Sequence, residues 1–494
     1  MLGIAVVQFN GCAQNPVTGK RDFVLMSPEE ESELGAEAAL MVEAQIGTID
    51  AGALSTYVAD LGRRLAAHSP RQDVSYSFAI VDMEEPNAFA LPGGYIYVSR
   101  GLLAITNSED ELANVIAHEI GHVAALHHAR QQARTAGFGL LTSPVRLVGG
   151  LVGGTIGALI EAPFAVAGYS FIAAHGRGQE READHIAQDI AAQVGYDPTA
   201  LSTFLSTLQR DTDLRMGGDV PRRVHFFDTH PSTPERVKTA MERGMKLPWT
   251  RGSTLVSGRN GFLDLLAGLL LGLNPAEGVF DDQLFRHPDM DFAMSFPDGW
   301  ETVNTRMAVA AQVSDGRANI TLVLDPSADA PKACADSFFA EVAKEVNIEV
   351  AETQSLEVGG LPAYRAVAAM RATSGTLYLD LTWIRHNDLV FRIVGAAPAR
   401  SFDTYRVAFA NAAMSFRRLD RVERESIQET RLRVAKARAS ENLEALSSRT
   451  KNAWSVEETA VVNALEVDAV LSGTESIKVA VPQTYEKKPA TADS

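Results

Sequence analysis

Three residues of the segment "IAHEIGHVAALHHAR", at positions 116–130, have the spacing of a metal site: His118, Glu119 and His122. Residues four positions apart share one face of an α-helix, so the two imidazoles can bind the same ion. Glu119 lies about 100° around the helix, where its carboxylate can reach a water molecule at that ion. The segment is apolar enough to be buried, and buried histidines beside a buried glutamate need a partner. The pattern predicts a zinc site for hydrolytic chemistry.

Zinc also needs a third protein ligand, and His128 lies close by in the sequence. The pattern His-Glu-x-x-His-x-x-Gly-x-x-His would supply one, but it requires a glycine that ends the helix, and Ala125 stands at that position. We therefore expect one helix through Arg130. On an unbroken helix His128 points about 80° away from His118 and lies more than ~10 Å along the axis, which excludes it as a ligand.

A carboxylate from "RGQEREADHIA" is the better candidate for the third ligand. Glu180 and Asp184 are four positions apart, so Glu180 can bind zinc while Asp184 accepts a hydrogen bond from a ligand histidine and fixes its tautomer. Glu182 is the rival ligand, but it points about 160° away from Asp184 and cannot share that arrangement. We predict that Glu180 binds the metal.

Two long helices must present these side chains. Apolar spacing predicts the first in "EDELANVIAHEIGHVAALHHARQQAR" and the second in "QEREADHIAQDIAAQVG", which Gly195 and Pro198 end. Upstream, residues 28–68 are predicted to be helical, with Ser27 as the amino-terminal cap. "VSYSFAIVD" alternates like a strand, and "NAFALPGGYIYVSRGLL" predicts two short strands around a turn at residues 92–94.

The chain changes character after about residue 250, and its 494 residues are too many for one core. "TLYLDLTWIRHNDLVFRIVG" predicts a hairpin, and helices on either side of it indicate an α+β domain. We predict an α+β multidomain chain made of an amino-terminal segment (1–27), a metal-binding domain (28–250), a linker with an apolar helix (251–284), an α+β domain (285–417), a helix with a small βααβ module (418–485) and a disordered tail (486–494).

The composition limits the partners of the chain. A formal net charge of −17 argues against a nucleic-acid partner, whose phosphates would be repelled. No apolar run reaches the roughly 18–20 uninterrupted residues that cross a bilayer. Two cysteines occur, Cys12 and Cys334, so no disulfide framework is expected.

Cys12 follows an apolar stretch in "VVQFNGCAQNPVTGKRDF". An apolar run before Gly-Cys resembles the end of a bacterial lipoprotein signal, in which the cysteine receives the lipid. Asn10 departs from that pattern, and "MLGIAVVQF" lacks a basic start. Two interpretations stay open: membrane association through a lipidated Cys12, and an ordinary amino terminus with a buried thiol.

Several motifs, taken together and in order, resemble one family. "IAHEIGH", "EREAD" and "DTHPSTPERV" are similar to the M48 family of zinc metallopeptidases, in its periplasmic or lipid-anchored branch, and "NPVTGKRDF" and "NAFALPGGYIYV" resemble that branch too. The likeness covers residues 12 to about 245, although Gly176-Arg177 replaces a frequent Ser-Arg. It implies a mainly helical, gluzincin-like zincin domain with a small sheet, one zinc ion per subunit, and protein or peptide substrates. It also implies roles for five residues: zinc ligands His118, His122 and Glu180, catalytic base Glu119, and Asp184 behind a ligand histidine.

Further residues are predicted to complete this site. His230 in "THPSTPER" is our candidate for stabilising the oxyanion, because Pro231 makes its loop rigid; the alternative is an ordinary surface-loop histidine. In related proteases such a histidine can also occupy the open metal position and keep the enzyme latent. Arg236 is predicted to orient the loop or the intermediate. Substrates of the family bind as an added strand, and the matching edge strand here is Asn87, Ala88, Phe89 and Ala90.

The carboxy-terminal module loosely resembles LysM, a small glycan-binding βααβ domain, which predicts peptidoglycan contact. Ser440-Glu441-Asn442-Leu443 replaces the usual Gly-Asp-Thr-Leu, so an accessory domain without a ligand stays an alternative.

Two functions remain open for the chain, both in the bacterial cell envelope or periplasm. The first is a zinc endopeptidase that degrades misfolded or stalled envelope proteins. The second is a chaperone-like assembly factor whose protease site is kept shut by His230. The intact Glu119 favours the first, because holding a client needs no general base.

Overall fold

The computed structural model describes residues 12–14, 16–17, 19, 21–23, 26–130, 175–216, 226–231, 234–372 and 375–487. The chain divides into two compact units. Of the described residues, the first unit contains those up to Gly272 together with Thr430–Gln483, and the second contains Leu273–Glu429 with those from Thr484 onward. The domain boundaries predicted from the sequence stay a proposal.

The helices of the described residues are α1 (Pro28–Gln45), α2 (Ala53–Ala66), α3 (Arg100–Ile105), α4 (Glu109–Ala124), α5 (Arg177–Val194), α6 (Ala200–Met216), α7 (Phe226–Thr229), α8 (Pro234–Gly244), α9 (Gly258–Leu266), α10 (Pro331–Val342), α11 (Phe402–Met414), α12 (Arg421–Ser426), α13 (Leu443–Thr450) and α14 (Val456–Val462). None of them is both long enough and apolar enough to cross a membrane.

The strands in the same part of the chain are β1 (Cys12–Gln14), β2 (Arg21–Phe23), β3 (Ser77–Val81), β4 (Ala88–Leu91), β5 (Tyr95–Ser99), β6 (Leu270–Leu271), β7 (Val279–Asp281), β8 (Leu284–His287), β9 (Phe292–Ser295), β10 (Glu301–Asn304), β11 (Val309–Gln312), β12 (Asn319–Leu324), β13 (Asn347–Val358), β14 (Leu361–Ala372), β15 (Gly375–His386), β16 (Leu389–Pro398), β17 (Arg417–Arg418), β18 (Gln428–Lys436) and β19 (Ser476–Thr484). Cys12 lies in β1, opposite Phe23 of β2. The predicted tail from residue 488 onward lies outside the described residues.

The first unit packs helices and a small sheet around an extensive apolar core. One of its two three-stranded sheets has the order β3-β5-β4, with β3 parallel and β4 antiparallel to β5. The predicted turn between β4 and β5 is confirmed as a 3₁₀ turn at Pro92–Gly94, in which Gly93 has a φ of 74°. Helices α2, α4 and α5 bury their apolar sides in this core, to which α9 adds Phe262 and Leu266.

The prediction of one helix through Arg130 is wrong. Helix α4 ends at Ala124, Leu126 has a φ of 58°, and a new helical turn begins at His127. No glycine or proline marks this break, but a residue distant in sequence contacts the end of the helix. Buried Arg71, which is paired with Glu31 of α1 at 2.7 Å, donates Nη1 to the carbonyl of Val123 at 3.3 Å. The guanidinium thereby caps the carboxyl end of α4, where carbonyls lack helical partners.

The carboxy-terminal strand, helix, helix and strand (β18, α13, α14 and β19) have the predicted order, and residues 430–483 belong to the first unit. Strand β18 pairs with β6, placing Thr430 opposite Leu271. Fully buried Lys478 of β19 donates Nζ to the carbonyls of Ala104 and Thr106, each at 2.8 Å. These bonds reach the turn that leads into α4, so the last strand contacts the start of the helix that contains the His-Glu-x-x-His residues.

The second unit is α+β. Its large antiparallel sheet has the order β10-β11-β12-β16-β15-β14-β13, and α10 packs on this sheet through Phe338 against buried Trp383. The predicted hairpin of β15 and β16 is confirmed, with Asn387 and Asp388 at φ values of 47° and 59° in its two-residue turn. Helix α11 packs its Phe409 against Gly395, where a Cβ would lie 2.4 Å from the ring.

Candidate metal centre

Helices α4 and α5 approach closely enough to share one buried site. Gly121, between the two histidines of the motif, faces α5, and a Cβ there would lie 3.1 Å from the carbonyl oxygen of Ala183. The small residue therefore lets the two backbones approach. This approach brings His118 and His122 of α4 within reach of Glu180 of α5.

Four side chains converge at this point, and each is at most 1 % exposed: His118, His122, Glu180 and His230. One ligand atom from each lies within 4.8 Å of the others. The Nε2 atoms of His118 and His122 are 2.9 Å apart. The Glu180 carboxylate lies 3.5 Å from His118 Nε2 and 3.4 Å from His122 Nε2. Two imidazoles and a carboxylate form a typical catalytic zinc donor set.

His230 lies among the ligand atoms. Its Nδ1 is 3.3 Å from His118 Nε2 and 3.2 Å from a Glu180 oxygen, while its Nε2 is 3.7 Å from Glu119. The loop position is set by Phe226, whose carbonyl accepts the His230 backbone N–H at 2.7 Å and whose ring stacks on the imidazole at 4.4 Å. His230 is buried here, in a position from which it can act as a fourth ligand.

Glu119 is fully buried, and neither of its carboxylate oxygens has a hydrogen-bond partner among the described residues. Burial raises the pKa of this carboxyl, against the opposing effect of His230 and His118. A buried acceptor that is left open is destabilising by about 1–3 kcal/mol, so it persists where something other than the fold uses it. The open oxygens suit a group that binds a water molecule and takes its proton.

Asp184 and Arg236 form an ionic pair behind the ligands. Asp184 lies 3.0 Å from His118 Nδ1, and Arg236 donates to both its oxygens, from Nε at 2.7 Å and Nη2 at 2.8 Å. Arg236 also contacts Glu180 at 2.8 Å and donates to the His230 carbonyl at 3.4 Å. Burial opposes ionisation of Asp184, but Arg236 and His118 lower its pKa to about 2.

The charges of the cluster favour a cation. Burial works against a charged His118, yet the Asp184 and Glu180 carboxylates raise its pKa to about 9. Burial likewise opposes ionisation of Glu180, but the surrounding histidines hold its pKa well below the usual range. Without a metal, the two ionised carboxylates are balanced by Arg236 and a protonated His118, and a zinc ion would take the place of the His118 proton among the same donors.

The predicted edge strand is β4, at the outer position of the small sheet, and its residues are buried. Asn87 precedes it; its backbone pairs with Ser99, while both polar atoms of its side chain lack a hydrogen-bond partner in the described chain.

Sequence reasoning missed His127 and His175. His127 Nδ1 lies 2.8 Å from His122 Nδ1, and the His175 ring stacks on His122 with centroids 3.9 Å apart. Helical periodicity could not identify His127, because only the break at Leu126 turns it toward His122. His128 belongs to neither histidine cluster of the described residues, and Glu182 contacts His127 instead of the ligand atoms.

Part of this chain is similar to one family of known proteins. Residues 53–244 match the model of peptidase family M48. Mitochondrial metalloendopeptidase OMA1 of Schizosaccharomyces pombe is 26% identical over 243 residues, which cover 49% of this chain and 68% of that protein. The beta-barrel assembly-enhancing protease of Yersinia pestis is 30% identical over 244 residues, 47% of each chain. Metalloprotease LoiP of Escherichia coli is 32% identical over 173 residues, 35% of this chain and 63% of that one. The chain thus spans less than half of the second relative.

Proposed function

We propose that the chain, whose residues 53–244 match the model of peptidase family M48, is a zinc metallopeptidase of that family that hydrolyses peptide bonds of misfolded or stalled cell-envelope proteins. One observation carries the proposal: Glu119, a buried carboxylate without hydrogen-bond partners in the part of the chain that the structure describes, lies beside the donor set of His118, His122 and Glu180. A site built only to hold a metal has no use for such a carboxylate.

Each residue of the site has a separate role in the proposed hydrolysis. His118, His122 and Glu180 hold zinc, which supplies a Lewis acid for the substrate carbonyl and the attacking water. Glu119 accepts the proton of that water and delivers it to the leaving amine. Asp184, itself fixed by Arg236, accepts the Nδ1 proton of His118, so that Nε2 stays free to bind the metal.

His230 has two roles in this proposal, one for each position of its loop. Where its Nδ1 lies among the ligand atoms, it closes the site and keeps it latent. Where the loop moves away, the imidazole is free to donate a hydrogen bond to the oxyanion of the reacting carbonyl. Loop movement then separates a resting enzyme from an active one.

Substrates are proposed to bind as an added strand along β4, which selects extended backbone rather than a particular sequence. Unfolded or stalled proteins present such segments, whereas folded proteins do not. The name of the Yersinia relative, which refers to β-barrel assembly, supports an envelope location. Lipid anchoring at Cys12 and peptidoglycan contact by residues 418–485 stay predictions.

The test compares cleavage of casein and of an unfolded outer-membrane β-barrel protein by the wild type, Glu119→Gln and His230→Ala. We expect Glu119→Gln to lose about 10²–10⁴-fold in rate while retaining zinc. We expect His230→Ala to cleave faster than a latent wild type at low substrate concentration. No cleavage by the wild type or by His230→Ala, with zinc bound, would contradict an endopeptidase.

The second candidate is a chaperone-like assembly factor with a latent protease site. The burial of His230 among the ligand atoms favours it, because a closed site leaves holding as the remaining activity. Suppression of client aggregation by Glu119→Gln, at wild-type level and without any cleavage by the parent protein, would support this candidate.

A further inference from the structure

The two ligand histidines have different partners on the side away from the metal. His118 Nδ1 faces the Asp184 carboxylate, which Arg236 binds with two hydrogen bonds. His122 Nδ1 instead faces the ring of His127 at 2.8 Å. The far nitrogen of His127, Nε2, lies 3.1 Å from Glu182, and Arg130 contacts the same Glu182 oxygen at 3.1 Å.

The positions of the protons along this chain of contacts can be assigned by starting from Glu182, at its end. The Glu182 carboxylate only accepts hydrogen bonds, so the proton of a neutral His127 lies on Nε2. His127 Nδ1 is then an acceptor, and at 2.8 Å it takes the Nδ1 proton of His122. The remaining nitrogen of His122, Nε2, carries no proton and points at His118 Nε2 and Glu180. That is the tautomer a metal ligand needs.

We propose that His127 is a positioning residue that, together with Glu182, fixes the tautomer and ring orientation of His122 for zinc. This inference rests on the proposed zinc site and adds two residues that do not touch the metal. It also gives the helix break a purpose. On a continuous helix, residues five apart point about 140° away from each other, so His127 could not contact His122. The φ of 58° at Leu126 turns it back.

His175 is the other ring against His122, but its contact is of a different kind. The two rings stack at 3.9 Å with an interplanar angle of 29°, and His175 Nδ1 has no hydrogen-bond partner in the described residues. Stacking restricts the ring plane without selecting a tautomer. The hydrogen-bonded His127 therefore carries the proposal.

The test measures zinc affinity by competition with a chromophoric chelator, on the full chain. His127→Asn and His127→Leu form a matched pair, since the two side chains have nearly the same shape and only the amide can accept the Nδ1 proton of His122. We expect His127→Leu to bind zinc about 10–100-fold more weakly than the wild type, and His127→Asn to recover most of that loss. The visible spectrum of the Co²⁺-loaded protein should change in His127→Leu and stay close to wild type in His127→Asn.

Two further variants keep the outcome decisive. Glu182→Met removes the terminal acceptor at a partly exposed position where folding is tolerant, and we expect a smaller loss of zinc affinity in the same direction. His128→Ala changes the adjacent histidine, which lies outside both clusters and contacts the ring of His175; it should change zinc affinity much less than His127→Leu. Equal affinities of His127→Leu and His127→Asn, or a loss in His128→Ala as large as in His127→Leu, would overturn the proposal. A wild type that binds no zinc would instead remove the proposed site itself.

Discussion

Helix α4 has a buried polar network at each end, and the two networks differ in how completely they are bonded. At the amino end, Glu111 accepts the Asn107 N–H at 2.7 Å and the Thr203 hydroxyl at 3.1 Å, and Lys478 donates to two carbonyls. Toward the carboxyl end, Glu119 has no hydrogen-bond partner among the described residues. Both glutamates are at most 5 % exposed.

This difference distinguishes a polar network that stabilises the fold from one that is suited to chemistry. Buried polar groups that only stabilise a fold are satisfied, because an open buried acceptor is destabilising. The hydrogen bonds of Lys478 join the carboxy-terminal strand to the segment just before α4. They leave few polar atoms free to bind a ligand. At the candidate metal centre the open carboxylate and the crowded imidazoles are the arrangement expected of a site that zinc and substrate would complete. Substitutions at the two ends of α4 should therefore have opposite effects: those at the amino end should lower stability, and those at the metal centre should lower activity.

The largest effect is expected from making the same substitution at each end of α4. Glu119→Gln should lower the rate of peptide hydrolysis by about 10²–10⁴-fold, because the general base is lost. Its free energy of unfolding should be unchanged or higher, since an amide is easier to bury than an unpartnered carboxylate. Glu111→Gln should show the reverse, with lower stability and nearly normal kcat. Kinetics and denaturant unfolding of both variants check this, and a strongly destabilised Glu119→Gln would contradict it.

Next in size is the loss of the guanidinium behind the ligands. Arg236→Met leaves the Asp184 and Glu180 carboxylates without their buried cation. We expect the metal-free protein to lose about 3–5 kcal/mol of unfolding free energy, because uncompensated buried charges are costly. Zinc should restore part of this loss, so the gap between zinc-loaded and chelator-treated protein should widen in the variant. A gap equal to that of the wild type would mean that zinc and Arg236 do not share these charges.

His287, a buried histidine of the second unit, can be compared with His118 of the metal centre. His287 accepts the Met290 N–H at 3.2 Å and has no carboxylate like those beside His118; burial, with Lys487 nearby, lowers its pKa from 6.5 to about 4. Between these pH values the unfolded chain binds a proton that the folded chain does not, so stability is present above about pH 6.5 and is lost toward pH 4. The total loss is about 3 kcal/mol. Unfolding measured from pH 7 to pH 4 should show this slope, and His287→Gln should flatten it.

The smallest effect is expected at the satisfied network. Lys478→Met keeps the apolar length of the side chain but leaves the carbonyls of Ala104 and Thr106 unpartnered, which should lower stability by about 2 kcal/mol. Zinc affinity should not change, because the metal ligands lie further along α4. Lys451→Met, at an exposed lysine of the same module, is the control and should have little effect. A loss of zinc affinity in Lys478→Met would show that the two ends of the helix are coupled.

For much of the molecule, short-range sequence patterns were enough to predict the local structure. The spacing of His118, Glu119 and His122 requires only an α-helix to place both imidazoles on one face, and α4 is such a helix. The hairpin around Asn387 and Asp388 is equally local, since those residue types tolerate positive φ. Such features depend on residues that are close together in the chain, and the sequence shows these residues directly.

Only the tertiary structure decided where α4 ends and what surrounds its histidines. At the break, Arg71, about fifty residues upstream, donates to the Val123 carbonyl, and His127 beyond the break contacts His122. His230 reaches the ligand atoms from more than a hundred positions away, and Lys478 reaches the start of α4 from the far end of the chain. Contacts of this kind arise when separate elements bury a shared core, and no periodicity within one segment can encode which distant side chain will meet it.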